Sequence, residues 1–159
     1  MTNHYIFTIN DMPISPNKSI SAIEIADRLF ECNTWVYNEK TPLLKKLLPK
    51  DRILIYVCGA NRRYFLAEIE LLGKPESFPA ESPLAKLAKE LGLGWMKMYT
   101  SIRLIRRFEP PIPISNLIGS LEFIKDKKNY GLNLRLPIVN ISLSDHRRIT
   151  DSQVIERER

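Results

Sequence analysis

The chain is poor in the residues that build metal centres and disulfide frameworks. Its 159 residues include two cysteines, Cys32 and Cys58, and two histidines, His4 and His146. The cysteines form no C-x-x-C pair and have no histidine nearby in sequence, so neither a disulfide scaffold nor a zinc site is indicated. Cys58 closes an apolar run and fits the role of a small core residue. No apolar stretch approaches the roughly 20 residues needed to span a bilayer. The opening Met1-Thr2-Asn3-His4 lacks the basic segment and apolar continuation of a secretory signal, so a cytoplasmic protein with no membrane partner is expected. Glycine is scarce, and Gly92-Leu93-Gly94 lacks the third glycine and the preceding strand of a dinucleotide fingerprint.

Catalytic groupings are equally thin. Ser144-Asp145-His146 contains triad residue types, but adjacent helical residues point apart and cannot form a relay. A helix cap at Ser144-Asp145 and a surface histidine are the expected roles. Glu68 and Glu70 fall on one face of a strand, where solvated positions are expected. No catalytic residue, metal or cofactor is called for by this composition.

What remains is ordinary for a soluble domain: 44% apolar and 26% charged residues with a net charge of +6. The length suits one core without staples. A single domain over 1–150 is expected, with a polar, frayed tail over 151–159. The modest positive charge permits an anionic partner and equally fits a solvated basic surface.

Along the chain, His4–Ile9 reads as an opening strand running into Asn10-Asp11, followed by a loop at Pro13 and Pro16. Ser21-Ala22-Ile23-Glu24 is a capping box within a helix expected over 19–31, with Ile23, Ala26, Leu29 and Phe30 on one face. Trp35 follows in a short polar loop, and Thr41-Pro42 opens a short basic helix. Strands at 52–58 and 63–72 form a hairpin around Gly59-Ala60-Asn61-Arg62. Ser82-Pro83 starts a helix that Gly92 closes. Lys97–Phe108 alternates as a strand, broken by Pro110-Pro111-Ile112-Pro113. Short strands are expected at 132–136 and 139–141, and then a polar last helix. Strands mixed with unequally spaced short helices point to an α+β fold around a small curved sheet or barrel.

Aromatic and basic residues carry what functional signal there is. Trp35 and Trp95 are the only tryptophans, and each stands beside turn residues rather than within a long apolar run. Such planes can stack a nucleobase, each stack contributing about 1–3 kcal/mol. Basic groups at Lys45, Lys46 and Lys50, at Arg62 and Arg63, at Arg103, Arg106 and Arg107, and at Lys125, Lys127 and Lys128 can neutralise phosphates. Core packing of the tryptophans and solvated basic faces stand beside these readings.

Four ordered blocks resemble the EVE domain family, a branch of the PUA superfamily related to YTH domains. They are His4–Asp11; Asn33-Thr34-Trp35-Val36-Tyr37 with Lys45–Tyr56; Gly94-Trp95-Met96-Lys97-Met98 through Arg103 to the prolines at 110–113; and Leu121–Gly131 with Leu134-Arg135 and Ile141–Asp145. The resemblance implies a PUA-like small curved β-barrel of five or six strands flanked by short helices. It also implies a non-catalytic pocket for a modified, typically methylated, base of DNA or RNA. Carried over by position, Trp35 is the first cage aromatic and Trp95 a second wall. Asn10 is a polar group at the elbow, Tyr37 and Tyr99 are supporting aromatics, and Arg135 is a further pocket-side cation. Lys45, Lys46, Arg103, Lys127, Lys128 and Arg135 would hold flanking phosphates. A restriction or RNA-modification system is the partner class such a reader would serve. The chain departs from the family pattern at Lys50-Asp51, where Gly-Asp is usual, and in the helix inserted between Asp11 and Trp35. A nucleic-acid-modifying enzyme using the same pocket, and a protein-interaction module whose pocket has decayed, are the alternatives.

Overall fold

Among the described residues, seven strands form one sheet in the order β4 (Thr34–Tyr37), β8 (Met98–Pro113), β6 (Tyr64–Leu71), β5 (Arg52–Val57), β1 (His4–Ile9) and β9 (Ile138–Ile141), with β7 (Glu76–Ser77) pairing β8 off this path. The computed structural model describes residues 2–59 and 62–158, with side chains as far as residue 153. β2 (Met12–Ser15) and β3 (Lys18–Ile20) make a separate small hairpin. Among the described residues, three α-helices flank the strands: α1 (Ala22–Glu31), α2 (Pro83–Glu90) and α3 (Leu143–Glu158). The result is a curled, α+β half-barrel of the PUA kind.

The curl comes from β8. This long strand pairs with β4 through residues 98–101 and then with β6 through residues 102–113. Register shifts between Phe65 and Ala67 and between Glu68 and Ile69 supply extra bend and twist where the two longest strands meet. The prolines at 110–113 do not break the strand as expected; they lie on its final stretch, where Ile112 still pairs with Phe65. Proline lacks only the N–H, so it is tolerated where that donor is not required by the ladder.

β5 is buried on both faces, which is why Arg52–Val57 reads as a continuous apolar run. Ile53, Ile55 and Val57 enter one core with α1, while Leu54 and Tyr56 enter a second with Phe65, Phe108 and Ile149. β1 runs parallel to β5, a pairing that α1 and β4 make possible as part of the intervening crossover.

The two expected helix starts with serine caps are found. Ser21 accepts from the Glu24 amide and Ser82 from the Ala85 amide, although α1 begins at Ala22 because residues 18–20 are spent on β3. Gly92 closes α2 with φ +74°, and a Cβ there would meet the Pro13 carbonyl oxygen at 3.0 Å, so glycine is required. The hairpin expected at 52–72 is present, although Ala60 and Asn61 of its turn lie outside the described residues.

Several local readings are corrected. Trp35 lies on β4, not on a loop. The basic segment after Thr41-Pro42 forms only a 3₁₀ turn, Leu44–Lys46. Residues Tyr130–Leu134 form a 3₁₀ helix rather than a strand. The last helix is capped by Ser142, which bonds the Asp145 amide, rather than by Ser144. Asp145 is fully buried and accepts from the amides of Glu122 and Phe123 at 2.8 and 2.9 Å.

His146 is the largest departure. It is 7% exposed, and its Nε2 stands 2.9 Å from Glu68 Oε2. Glu68 is 3% exposed, because α3 covers the face of β6 that was expected to be solvated. Arg52 and Arg106 also pair with Glu68, at 3.3 and 3.1 Å. The His4 ring lies against His146, with centroids 4.6 Å apart. Burial pushes the Glu68 carboxyl up, but the His146 hydrogen bond and charge, with Arg106, outweigh it and hold the group down at about 2. None of these residues lines the large cleft described next, so the cluster is a structural tie between α3 and the sheet.

Candidate nucleic-acid interface

A cleft of about 890 Å³ opens where the C-terminal end of β1, the strand β4, helix α1 and the segment 128–137 converge. Its apolar side follows from the α1 pattern: Ile25 and Leu29 line it from the helix face that packs on the sheet. β1 is tied to the far wall by two contacts, from the Thr8 amide to the Pro137 carbonyl and from the Thr8 hydroxyl to the Leu136 carbonyl, both 3.0 Å.

Trp35 is set into this wall. It is 6% exposed, yet it borders the cleft. Its ring lies between Phe7 and Phe30, with both centroid separations 6.1 Å and tilts of 34° and 30°. Trp35 is therefore a core residue that borders the cleft, not an exposed ring presented into it. Tyr37 is equally fixed. Its hydroxyl shares a 2.8 Å hydrogen bond with Thr100, its ring meets Phe7 edge-on, and burial pushes its phenol well above the ordinary range. Trp95 is the counterpart, 51% exposed and also lining the cleft. A half-exposed indole in contact with an apolar cleft has free surface to stack on a planar ligand.

Asn10 lies on the lining where β1 ends. Its Oδ1 accepts from the Asp11 amide at 2.9 Å and from Arg62 Nη2 at 2.8 Å. Asp11 in turn accepts from the Ala22 amide and from Arg62. The Arg62 bond, with the Ala22 amide, holds the Asp11 carboxyl below its usual value. The elbow is thus braced, with the Asn10 oxygen occupied by protein donors.

Lys128 and Arg135 reach the cleft from the segment that closes it. Asp126 shapes that segment by accepting from the amides of Lys128 and Asn129, an Asx-type turn. Tyr99, Lys45, Lys46, Arg103 and Lys127 are not brought to the cleft. Tyr99 packs on Phe78 and donates to Glu76 at 3.2 Å. Lys45 and Lys46 are exposed on the 3₁₀ turn. Arg103 pairs with Glu70 at 3.0 Å, and Lys127 donates to the Leu121 carbonyl at 2.7 Å.

Lys40 and Tyr130 also line the cleft without having been named as site residues, and Arg63 lines it although it was named only within a basic pair. Arg63 donates to the Tyr130 hydroxyl at 2.9 Å, with its guanidinium carbon 5.6 Å from the ring centroid. The basic pair Arg62-Arg63 was a visible signal, but nothing local joins it to a tyrosine 67 positions away. Among the described residues, the lining holds no aspartate, glutamate or histidine. Cys58 lines it, and burial pushes its thiol up, away from the reactive thiolate. No group of three potential metal ligands is found among the described residues.

No family model and no curated protein matches the sequence. Solved structures do match it along nearly its whole length. Human THYN1 in complex with 5-methylcytosine-containing DNA superposes with a TM-score of 0.63 at 9% identity, covering 96% of this chain and 98% of that one. PSPTO5229 from Pseudomonas syringae gives 0.61 at 12% identity, covering 94% and 99%. The YTH domain of Zygosaccharomyces rouxii MRB1 in complex with N6-methyladenosine RNA gives 0.56 at 12% identity, covering 94% and 86%. At such identities the shared property is the fold, and it is the fold that the EVE and YTH resemblance implies. No helix among the described residues is long and apolar enough to cross a membrane.

Proposed function

We propose that the protein is a non-catalytic module that reads a modified base, methylated in the simplest case, in single-stranded or base-flipped nucleic acid. The observation that carries this reading is one cleft lined jointly by an immobilised tryptophan, Trp35, and a half-exposed one, Trp95. Support comes from two matching solved structures, one holding 5-methylcytosine DNA and the other N6-methyladenosine RNA. A base stacked in a duplex cannot enter such a cleft, so it must be extruded or already unpaired. Trp95 supplies a stacking face, Trp35 a rigid apolar wall, and the Asn10 amide NH₂ a donor for an acceptor on the base edge. Burying one added methyl against aromatic surface gains about 0.8 kcal/mol, roughly a fourfold preference over the plain base.

The enzymatic alternative requires acidic, histidine or cysteine groups beside Trp35; of these the described lining holds Cys58, whose thiol is pushed up by burial, away from the reactive thiolate. The clean test is Trp95→Ala, because this side chain is half exposed and its loss disturbs little packing. Fluorescence anisotropy with oligonucleotides carrying 5-methylcytosine or N6-methyladenine, beside plain ones, is expected to show a methyl preference in the parent for one of them. The variant is expected to bind that probe more weakly by about 1–3 kcal/mol. Equal binding of every oligonucleotide by the parent, unchanged in the variant, would sink the proposal.

A further inference from the structure

Arg62 and Arg63 are neighbours with opposite settings. Arg63 lines the cleft, whereas Arg62 does not and turns back to the elbow after β1. Its guanidinium bridges two consecutive residues there: Nη2 donates to Asn10 Oδ1 at 2.8 Å, and Nη1 donates to Asp11 Oδ1. Asp11 Oδ1 also accepts from the Ala22 amide at 2.8 Å, which ties the guanidinium to the first residue of α1. Gly59 makes room for this arrangement. A Cβ at that position would stand 2.5 Å from Arg62 Nη2 and 2.8 Å from Nε.

The consequence falls on Asn10, which does line the cleft. A primary amide offers an oxygen that accepts and an NH₂ that donates, and a half-turn about its last bond exchanges them. Both partners of Asn10 Oδ1, the Asp11 amide and the Arg62 guanidinium, are donors with nothing to accept with. A half-turn would set the NH₂ against two N–H donors, one of them charged. Without Arg62, only the amide of the next residue, at 2.9 Å, opposes that turn. Among the described residues Nδ2 has no hydrogen-bond partner, so it is the end of the amide left for a ligand.

We infer that Arg62 is a positioning residue that locks the Asn10 amide as a donor, so that the pocket selects a base by the acceptor it turns to Asn10 and rejects one carrying N–H at that place. The inference rests on the base-reading proposal and deepens it, from the added methyl to the hydrogen-bonding edge. A methyl gains apolar contact whichever way the Asn10 amide faces. A donor set against a donor loses the bond and leaves two polar groups unpaired. The two selections therefore separate in experiment.

The test compares single-stranded oligonucleotides that differ at one base: 5-methylcytosine against thymine, and adenine against hypoxanthine. Within each pair a ring acceptor beside an amino group becomes a ring N–H beside a carbonyl. Thymine keeps the 5-methyl, so the methyl contact cancels in the first pair. The parent is expected to favour one member of at least one pair by about tenfold. Arg62→Ala should bring that ratio to within about twofold, and Asn10→Asp, whose carboxylate only accepts, should reverse it. In an Asn10→Ala background, Arg62→Ala should change the ratio no further. A partly unfolded variant loses affinity for both probes by the same factor, and so does one that has lost a cation acting on phosphates; the ratio is blind to both. Equal binding within both pairs by the parent overturns the inference. So does a parental ratio in Arg62→Ala, or a ratio that falls with Arg62→Ala as much without Asn10 as with it. The methyl proposal is read separately, from 5-methylcytosine against cytosine and from N6-methyladenine against adenine. A parent that discriminates within the exchanged pairs but ignores the methyl would keep the role of Arg62 and remove only the methyl reading.

Discussion

Replacing Trp35 with alanine is expected to lower stability by about 3–5 kcal/mol, the range for emptying a large aromatic site in a core. The ring fills the space between Phe7 and Phe30 and belongs to the cluster that also holds Ile25, Leu29 and Tyr37. Little can collapse into that space. Phe7 is anchored in β1 between β5 and β9, and Phe30 sits in the last turn of α1. Urea unfolding followed by circular dichroism measures the loss, and a decrease below about 1 kcal/mol would show that Trp35 is not the packing element described here. The size of this effect also bears on function. A Trp35→Ala protein that fails to bind nucleic acid reports on folding as much as on the pocket, whereas Trp95→Ala reports on the pocket.

The second large effect is expected at Glu68. Glu68→Ala removes the one carboxylate to which Arg52, Arg106 and His146 converge. Breaking a buried pair from one side costs about 3–5 kcal/mol. The two arginines are partly exposed and can rehydrate, so the lower end of that range is expected. The same carboxylate sets an acid response. Its folded value near 2 lies below the free value of 4.5, so the unfolded chain binds this proton more readily. Stability from Glu68 is therefore complete above about pH 5 and is lost as pH falls toward 2. His4 acts with the same sign at higher pH, because burial, with the charge of His146, lowers its value from 6.5. Glu68→Gln should flatten the stability profile between pH 5 and 2, as measured by urea midpoints at stepped pH. A profile as steep as the parent's would place the acid sensitivity elsewhere.

The parts of the fold legible in sequence are those whose pattern is local. β5 and β6 announce themselves as apolar runs, and α1 and α2 carry serine caps at their first turns. The misread parts have their cause far away in the chain. Trp35 is flanked by polar residues and looks like a loop; it is a strand because Thr34–Tyr37 pairs with residues 98–101 of β8. Glu68 looks solvated from its alternation along β6; it is buried because α3, more than seventy positions later, lies across it. The site divides in the same way. Trp35, Trp95, Asn10, Tyr37, Lys128 and Arg135 were named from ordered blocks and do line one cleft. Lys40, Arg63 and Tyr130 were invisible as a group because only closure of the half-barrel brings them together. Tyr99 has a comparable sequence setting to Tyr37, but the pairing Val36 with Tyr99 turns it toward Phe78 and Glu76 instead.

The contrast between the two tryptophans gives the protein an optical reporter of its own. An indole enclosed by Phe7 and Phe30 should emit at shorter wavelength and resist acrylamide, whereas one exposed like Trp95 should emit to the red and be quenched readily. Stacking of a base on Trp95 should silence the red component, so occupancy can be titrated in the unlabelled protein. Loss of native packing around Trp35 should instead shift the blue component to the red, which distinguishes a filled cleft from an unfolded chain in one spectrum.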